Sequence, residues 1–454
     1  MSGMQRSVAG VRGVWDRTLF LEDAVLYAAA FGTYLRGGHV ILGRDTRTTG
    51  EMLSHAVTAG FMSAGCEVTD IGVCPTPTCQ MMTGESDAAG GLVITASHNP
   101  EEWNGLKFLD GDGHFLTEKP FSRIMETADQ NRISRASPFA LKSPRGGVSW
   151  NDRAIQMHIG RILNYVPAGR IRSRQFKVVL DAVNGAGSRL LLPLLEQLGC
   201  EVIPLYCEES GRFPRGAEPV AGNLGELCKT VRKNRAHAGF AVDPDADRLS
   251  VVSEQGVALG EEMTLPIVAR QMLKGRGGVV VTNLSTSMTI DRVAESLGAR
   301  VIRTKIGEAN VVAGMKSHKC RIGGEGNGGV IIPDIHYARD SAAGIALILD
   351  GLSENGEPFS EFVRNIPRYA LIKKKMDCSP EKIPAALAAL KKHFNSAEAD
   401  TTDGVKLVWS NRWIHVRKSG TEGLLRIFAE AEESEEAEAV TVEAEKVIRQ
   451  VMEK

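Results

Sequence analysis

The sequence lacks any run that could cross a membrane as a helix. No stretch of its 454 residues approaches the roughly 18 uninterrupted apolar positions of a span. The longest candidate, Ala342 to Leu352, is too short and reads as a buried helix. No apolar run follows the charged start at Met1 to Ser7, so a cytoplasmic protein without a leader is expected. The eight cysteines are dilute and form no C-x-x-C pair, and Cys74 and Cys79 have no histidine at zinc-finger spacing. They read as buried free thiols in a reducing compartment. Charge of one sign is missing as well: 54 Lys+Arg stand against 55 Asp+Glu, a net of −1. That balance gives no reason to expect nucleic acid or an anionic membrane as partner, and any polyanion site must be local. Walker G-x-x-x-x-G-K-[ST] and G-x-S-x-G motifs are absent, which disfavours a nucleotide P-loop and an α/β-hydrolase.

What is present is a 43% hydrophobic, 24% charged chain, ordinary for a globular protein and long enough for two to four domains. Short apolar runs alternate with amphipathic stretches. Val40 to Gly43, Met52 to Ala64 and Cys66 to Ile71 read as strand, helix, strand, and Phe176 to Leu180, Arg189 to Leu198 and Cys200 to Leu205 repeat the order. Gly278 to Thr282, Ile290 to Leu297 and Ala299 to Arg303 repeat it again. The helix-to-strand corner nearly repeats its text: Ala-Gly65-Cys-Glu-Val, Leu-Gly199-Cys-Glu-Val, Leu-Gly298-Ala-Arg-Val. Glycine there fits a helix C-cap with positive φ, and three copies point to three related α/β domains. From about Tyr369 the pattern changes to a helix (Pro384 to Phe394), strands (Gly404 to Trp409, Trp413 to Val416, Leu424 to Ala429) and a final helix. That helix is expected to carry the acidic run Glu430 to Glu438 as a solvated face. Interruptions at Gly146-Gly147, Glu254-Gln255-Gly256 and Pro367 divide the chain into 1–148, 149–252, 253–367 and 368–454.

Four segments carry chemistry. In Val242-Asp243-Pro244-Asp245-Ala246-Asp247-Arg248, after a predicted strand, three carboxylates alternate along an extended segment or converge from a tight loop. Two unit charges about 4 Å apart repel by about 4 kcal/mol at an effective dielectric of about 20, so three pairs cost about 12 kcal/mol. A hard cation removes that cost. Arg248 stands where an EF-hand needs glycine, so Mg²⁺ is preferred to Ca²⁺. In Leu92-Val-Ile-Thr95-Ala-Ser97-His98-Asn99-Pro100 an apolar strand ends in a stiffened polar turn. It is a catalytic loop or a hydrogen-bonded turn, and His98, adjacent on an extended chain, is not an obvious base for Ser97. Asn104-Gly105-Leu106-Lys107 follows with a cation. Gly323 to Gly329 holds five glycines in seven residues with Glu325 and Asn327 as polar readers. It contains G-x-G-x-x-G, but the extended run Val330 to Pro333 follows instead of the helix a dinucleotide fold needs. Arg417-Lys418-Ser419-Gly420-Thr421 with Arg426, between two strands, can receive the oxygens of a phosphate.

Together with Gly10-Val-Arg12-Gly13, these segments resemble the α-D-phosphohexomutase family over nearly the whole chain. The resemblance implies an α/β protein of three related α/β domains with mixed sheets plus a C-terminal α+β domain, arranged around a central cleft. It implies a reversible phosphoryl shift between the 1- and 6-positions of a hexose phosphate through a phosphoserine and a 1,6-bisphosphate. Ser97 would carry the phosphoryl group. Asp243, Asp245 and Asp247, with a phosphate oxygen on Ser97, would hold one Mg²⁺, and hexose 1,6-bisphosphate would serve as activator. Arg12 and Lys107 match positions that contact the reacting groups and would assist proton transfer, with His98 and Arg248 supporting. Glu325 and Asn327 would read sugar hydroxyls beside Lys305 and Gly307, while Arg417, Ser419, Gly420, Thr421 and Arg426 would hold the non-reacting phosphate. Departures bear on the sugar. Ser7-Val8-Ala9 replaces an aromatic-Gly-Thr lead, Lys418 and Gly423 stand where proline is common, and Gly329 replaces a histidine typical of phosphomannomutase/phosphoglucomutase members. The motifs look more like those of phosphoglucosamine mutases, which favours glucosamine phosphate over mannose or glucose phosphate. A Mg²⁺-dependent sugar phosphatase and an inactive sugar-phosphate sensor are the competing readings. The expected partner is the sugar phosphate alone, with the protein a monomer or homodimer.

Overall fold

The corner glycines show how the repeated unit is made. Gly65, Gly199 and Gly298 have φ of +83°, +74° and +67°. At the first, Gly65 N–H donates to Met62 O and Cys66 N–H to Phe61 O, closing the helix Gly50–Ser63 and turning the chain into the strand Val68–Val73. Gly199 and Cys200 do the same with Glu196 and Leu195 after the helix Gly187–Gln197. A side chain at this left-handed position would strain the backbone, which is why glycine recurs. The expected strand–helix–strand units are all present, each within about two residues of its expected bounds.

The computed structural model describes residues 3–134, 146–419 and 424–453. They divide into two units, residues 1–264 with 327–363, and residues 265–326 with 364–454. Segment 253–367 thus contributes to both.

The first unit holds two mixed sheets. One has seven strands, with Val40–Arg44 at its parallel centre between Gly90–Ile94 and Val68–Val73. Trp103–Asp110 returns antiparallel beside Gly90–Ile94 and leads on to Gly10–Val14. Phe31, Phe61 and Phe108 pack beneath it, the Phe31 and Phe108 rings edge to face at 5.2 Å. The other sheet pairs Lys177–Asp181 in parallel with Glu201–Leu205 and Ala238–Val242, and Leu249–Ser253 closes it antiparallel. Leu190, Leu191, Leu194 and Leu195 of the helix Gly187–Gln197 are fully buried, each contributing about 2 kcal/mol. The helix Ser341–Asn355 has Ala342 to Leu352 in the core, as its composition predicts.

In the second unit Gly278–Asn283 pairs in parallel with Ala299–Thr304 and Ile322–Glu325. An antiparallel sheet follows, ordered Ala370–Asp377, Leu424–Ala431, Arg412–Lys418, Val405–Val408, Glu398–Asp400. The helices Ile383–His393 and Ser434–Met452 pack their apolar stripes on its core. Here one expectation is corrected. The acidic run does not lie wholly on a solvated helix, because Glu430 belongs to the strand Leu424–Ala431 and is fully buried. Its Oε2 accepts from Trp413 Nε1 at 2.6 Å and from Met288 N–H at 2.7 Å, partners that lie far away in sequence. All eight cysteines are free thiols, five of them buried. Among the described residues no helix is long and apolar enough to cross a membrane.

Candidate active site

The carboxylate triplet forms a turn between two fully buried strands, Ala238–Val242 and Leu249–Ser253. Asp243 caps that turn with its own side chain: Oδ1 accepts from Asp247 N–H at 3.1 Å and Arg248 N–H at 3.2 Å. Ala246 takes a left-handed φ of +52°, and the chain curls so that the three carboxylates converge. One oxygen from each lies within 4.8 Å of the others, and all three residues are 0% exposed. An exposed acidic turn is therefore excluded.

The repulsion among the three carboxylates does not go unanswered, because the protein supplies cations of its own. Lys107 Nζ reaches Asp245 Oδ2 at 2.6 Å and Asp247 Oδ2 at 3.3 Å, and Arg339 Nη2 reaches Asp247 Oδ2 at 2.6 Å. Arg248 Nε stands 3.7 Å from Asp247. Against the cost of burial, Arg339, Lys107 and Arg248 hold the Asp247 carboxyl below the ordinary carboxylate range. Burial, and then the charges of Asp247 and Asp245, push Asp243 well above it. Better evidence for a cation lies in what is left over. Oδ1 of Asp245 and Oδ1 of Asp247 are buried without a hydrogen-bond partner. An all-oxygen set of buried, unsatisfied acceptors fits a hard divalent ion.

Ser97 sits just beyond the strand Gly90–Ile94, in a left-handed turn with φ +51°. The strand stops at Ile94, so the side-chain alternation assumed for Ser97 and His98 does not apply. Ser97 Oγ lies 3.4 Å from His98 Nδ1 and donates to Asp243 Oδ2 at 3.1 Å. Burial and the neighbouring cations Arg248 and Arg12 hold the His98 imidazole neutral, well below its usual range. Arg12 points into the same turn, with Nη1 3.2 Å from Asn99 Oδ1, and burial lowers its guanidinium to about 10.

Two supports escape a reading of the sequence by motif. Arg47, fully buried, donates from Nη2 to Ser97 O and Asn99 O, both at 2.7 Å, and from Nη1 to Pro100 O and Trp103 O. It is held in turn by Asp45, whose Oδ2 also accepts from Thr95 Oγ1 at 2.6 Å. Arg339 is the other. The first had a faint signal, Asp45 and Arg47 alternating after an apolar strand; the second, a lone arginine 92 positions from its partner, had none.

The first unit thus brings together Ser97, His98, Arg12, Lys107, Arg248 and the triplet, and contains Asn327, whose Oδ1 accepts from Gly329 N–H. In the second unit Glu325 Oε1 accepts from Asn283 Nδ2 at 2.8 Å and from Gly307 N–H at 3.1 Å, with Lys305 two residues before that glycine. Arg417 and Arg426 face each other directly across adjacent antiparallel strands. Burial and then Arg426 work to lower the Arg417 guanidinium, with Asp403 opposing. Ser419 N–H donates to Leu424 O, closing the loop, while Gly420 and Thr421 lie outside the described residues.

A hydroxyl facing a carboxylate triplet that can hold a cation is an arrangement suited to phosphoryl transfer, and comparison with known proteins supplies the family. The phosphoglucomutase/phosphomannomutase α/β/α domains I, II and III match residues 4–134, 156–256 and 261–369, and the C-terminal domain of that family matches 371–447. A probable phosphoglucosamine mutase of Methanopyrus kandleri is 37% identical over 99% of both chains. A phosphoglucomutase/phosphomannomutase of Thermococcus kodakarensis is 38% identical over 94% of each. The crystal structure of a putative phosphomannomutase from Thermus thermophilus superposes with a TM-score of 0.83 at 25% identity, covering 99% of this chain and 100% of that one. The chain belongs to the phosphoglucomutase/phosphomannomutase family.

Proposed function

We propose that the chain is a phosphohexomutase that interconverts hexose 6-phosphate and hexose 1-phosphate, with glucosamine phosphate as its sugar. The observation that carries this reading is the Ser97 hydroxyl, presented from a strained turn at 3.1 Å from the buried triplet. In the working enzyme Ser97 is a phosphoserine. A sugar hydroxyl attacks its phosphorus, the P–Oγ bond breaks, and the proton of the attacking hydroxyl ends on Ser97 Oγ. The bisphosphorylated sugar then turns round and returns its other phosphoryl group by the reverse step. His98, neutral and 3.4 Å from Oγ, is placed to relay the proton.

Asp243, Asp245 and Asp247, with a phosphate oxygen on Ser97, suit one Mg²⁺, which when bound neutralises charge on the transferring group. Lys107, Arg12 and Arg248 supply fixed positive charge around the same turn. Glu325, Asn327, Lys305 and Gly307 are assigned to the sugar hydroxyls. Arg417, Ser419, Gly420, Thr421 and Arg426 are assigned to the phosphate that stays. Hexose 1,6-bisphosphate acts as activator by re-phosphorylating Ser97 whenever the intermediate escapes. The setting is cytoplasmic, and the working form a monomer or homodimer.

Glucosamine is supported by the phosphoglucosamine mutase motifs and by the name of the M. kandleri relative; the T. kodakarensis relative keeps glucose and mannose as competitors. Ranking kcat/KM for the 1-phosphates of glucosamine, glucose and mannose, with Mg²⁺ and a trace of hexose 1,6-bisphosphate, decides the sugar. Release of free phosphate from glucosamine 6-phosphate, with no isomerised product, would make the protein a phosphatase instead.

A further inference from the structure

A second convergence of ligand-type side chains lies in the first unit and takes no part in the proposed reaction. His158, on the helix Ala154–Tyr165, and His336, on the strand His336–Arg339, both direct Nε2 at Oδ2 of Asp340, at 2.9 and 3.0 Å. The imidazoles are nearly perpendicular, 86° apart, with centroids at 5.3 Å. The three ligand atoms lie within 4.8 Å of one another. His158 and Asp340 are buried, and no Lys or Arg nitrogen among the described residues forms an ion pair with Asp340. The side chains that meet its charge are the two imidazoles, with one backbone N–H at Oδ1.

We propose that His158, His336 and Asp340 form a transition-metal site that takes Zn²⁺, with water in the fourth position. The donor set separates this site from the Mg²⁺ turn. Two imidazoles and one carboxylate suit Zn²⁺, whereas Mg²⁺ demands oxygen and keeps to the Asp243–Asp247 turn. Tetrahedral Zn²⁺ with bonds of about 2.0–2.2 Å needs its ligand atoms about 3.3 Å apart, a small widening of the two imidazole-to-Asp340 separations. The outer shell is in place. His158 Nδ1 lies 2.9 Å from Thr78 Oγ1, which fixes the ring so that Nε2 faces the metal. Asp340 Oδ1 accepts from Ala342 N–H at 2.8 Å, capping the helix Ser341–Asn355 and fixing the carboxylate plane. The His336 side chain keeps 9% of its surface exposed, which gives the ion a way in and the water a place.

The residues on either side of Asp340 suggest what such a site does. Arg339 holds Asp247, and Ser341 Oγ donates to Ala246 O at 2.6 Å. Asp340 thus stands between two residues that grip the catalytic turn, and Zn²⁺ here would stiffen the segment presenting both.

The test uses the full chain, stripped with chelator and held in millimolar Mg²⁺ so that the Asp243–Asp247 turn is occupied. Zn²⁺ is titrated against a chromophoric chelator, and Co²⁺ is substituted as a spectroscopic probe. The expected result is one Zn²⁺ per chain that excess Mg²⁺ does not displace, a rise in Tm on binding, and visible absorption of four-coordinate Co²⁺. His336→Ala, a change at the edge of the cluster, should weaken Zn²⁺ binding by more than about 100-fold and abolish the Co²⁺ bands. Asp245→Asn should leave both unchanged. The proposal is overturned if the wild-type protein takes up no Zn²⁺ in the presence of Mg²⁺. It is equally overturned if His336→Ala binds as wild type does, or if Asp245→Asn is the variant that loses the ion; the three side chains are then a hydrogen-bonded triad only.

Discussion

The hydroxyl of Ser97 donates to Oδ2 of Asp243 at 3.1 Å, across 146 residues of chain. The two come from different sheets, and each is held in place by its own turn: Ser97 by the bond from its N–H to Thr95 Oγ1, Asp243 by the two N–H groups its Oδ1 caps. Removing the hydroxyl therefore deletes the group proposed to carry phosphate while leaving both turns intact. Ser97→Ala should lower mutase turnover by more than about 1,000-fold, because the proposed nucleophilic oxygen is gone from the turn that presents it. Its stability should change by less than about 1 kcal/mol. Turnover measured with hexose 1,6-bisphosphate present, beside a urea titration, checks both; near-normal turnover would end the phosphoserine reading.

Arg47 tests whether the turn must be held rigidly. Its guanidinium fork serves Ser97 O, Asn99 O, Pro100 O and Trp103 O at once, and its Nε reaches Asp45 Oδ2 at 3.1 Å. A lysine has one charged head and cannot occupy these positions together. Arg47→Lys should cost about 3 kcal/mol as buried acceptors lose their donors. It should also lower kcat by about 100-fold, since Ser97 would be misplaced by a fraction of an ångström to an ångström. Full kcat at unchanged KM in a folded Arg47→Lys protein would show that the turn positions itself.

The contrast between these residues explains how far the sequence could be read. Asp243, Asp245 and Asp247 announce themselves because their chemistry is local: three like charges in five residues are costly unless something answers them. Ser97 is legible for the same reason, standing in a turn where an apolar strand stops. The repeated corners were legible because a positive φ admits few residues other than glycine. Arg47, Arg339 and the bond between His158 and Asp340 were not, since each depends on partners brought together by tertiary packing, 182 residues apart in the last case. Glu430 was misread for the complementary reason. Its neighbours in sequence are acidic and solvated, but its partners Trp413 and Met288 become visible only once the strands are registered. Local composition reports a residue's sequence neighbours, and a buried polar group is defined by its spatial ones.

Arg417 and Arg426 stand opposite each other in the register of two antiparallel strands. Like charges in that relation destabilise a sheet by a few tenths of a kcal/mol to about 1 kcal/mol, a cost that a bound anion reverses. Arg417→Met should therefore leave the stability of the unliganded protein within about 0.5 kcal/mol of wild type, in spite of the loss of a half-buried side chain. The same change should raise KM for the sugar phosphate more than about 10-fold, with a smaller effect on kcat, because the phosphate assigned to it does not react. Steady-state kinetics and calorimetric Tm on one preparation separate the two effects. A fall in kcat at constant KM would place Arg417 at the transferring phosphate instead.

His415 gives the second unit an acid sensitivity that can be worked out in sign. Its ring is buried between Ser285 Oγ, 2.8 Å from Nδ1, and Asp403 O, 2.6 Å from Nε2. Burial lowers its pKa from 6.5 to about 4, with Lys406 and Arg417 adding to the shift and Asp403 opposing it. Above pH 6.5 the imidazole is neutral in both the folded and unfolded chain and has no effect on the pH slope. Between 6.5 and 4 the unfolded chain takes up a proton that the folded one refuses, so stability falls with pH by about 1.4 kcal/mol per unit, about 3 kcal/mol in all. Below 4 both states are protonated and the slope from this group vanishes. His415→Gln removes the titration while keeping a donor and an acceptor in place. The variant should be less stable than wild type by about 1 kcal/mol at pH 7.5 and more stable at pH 4.5, the two curves crossing between. Urea unfolding of both proteins across that range measures the gap; a gap that stays constant from pH 7.5 to 4.5 would mean that the imidazole is not held neutral by the fold.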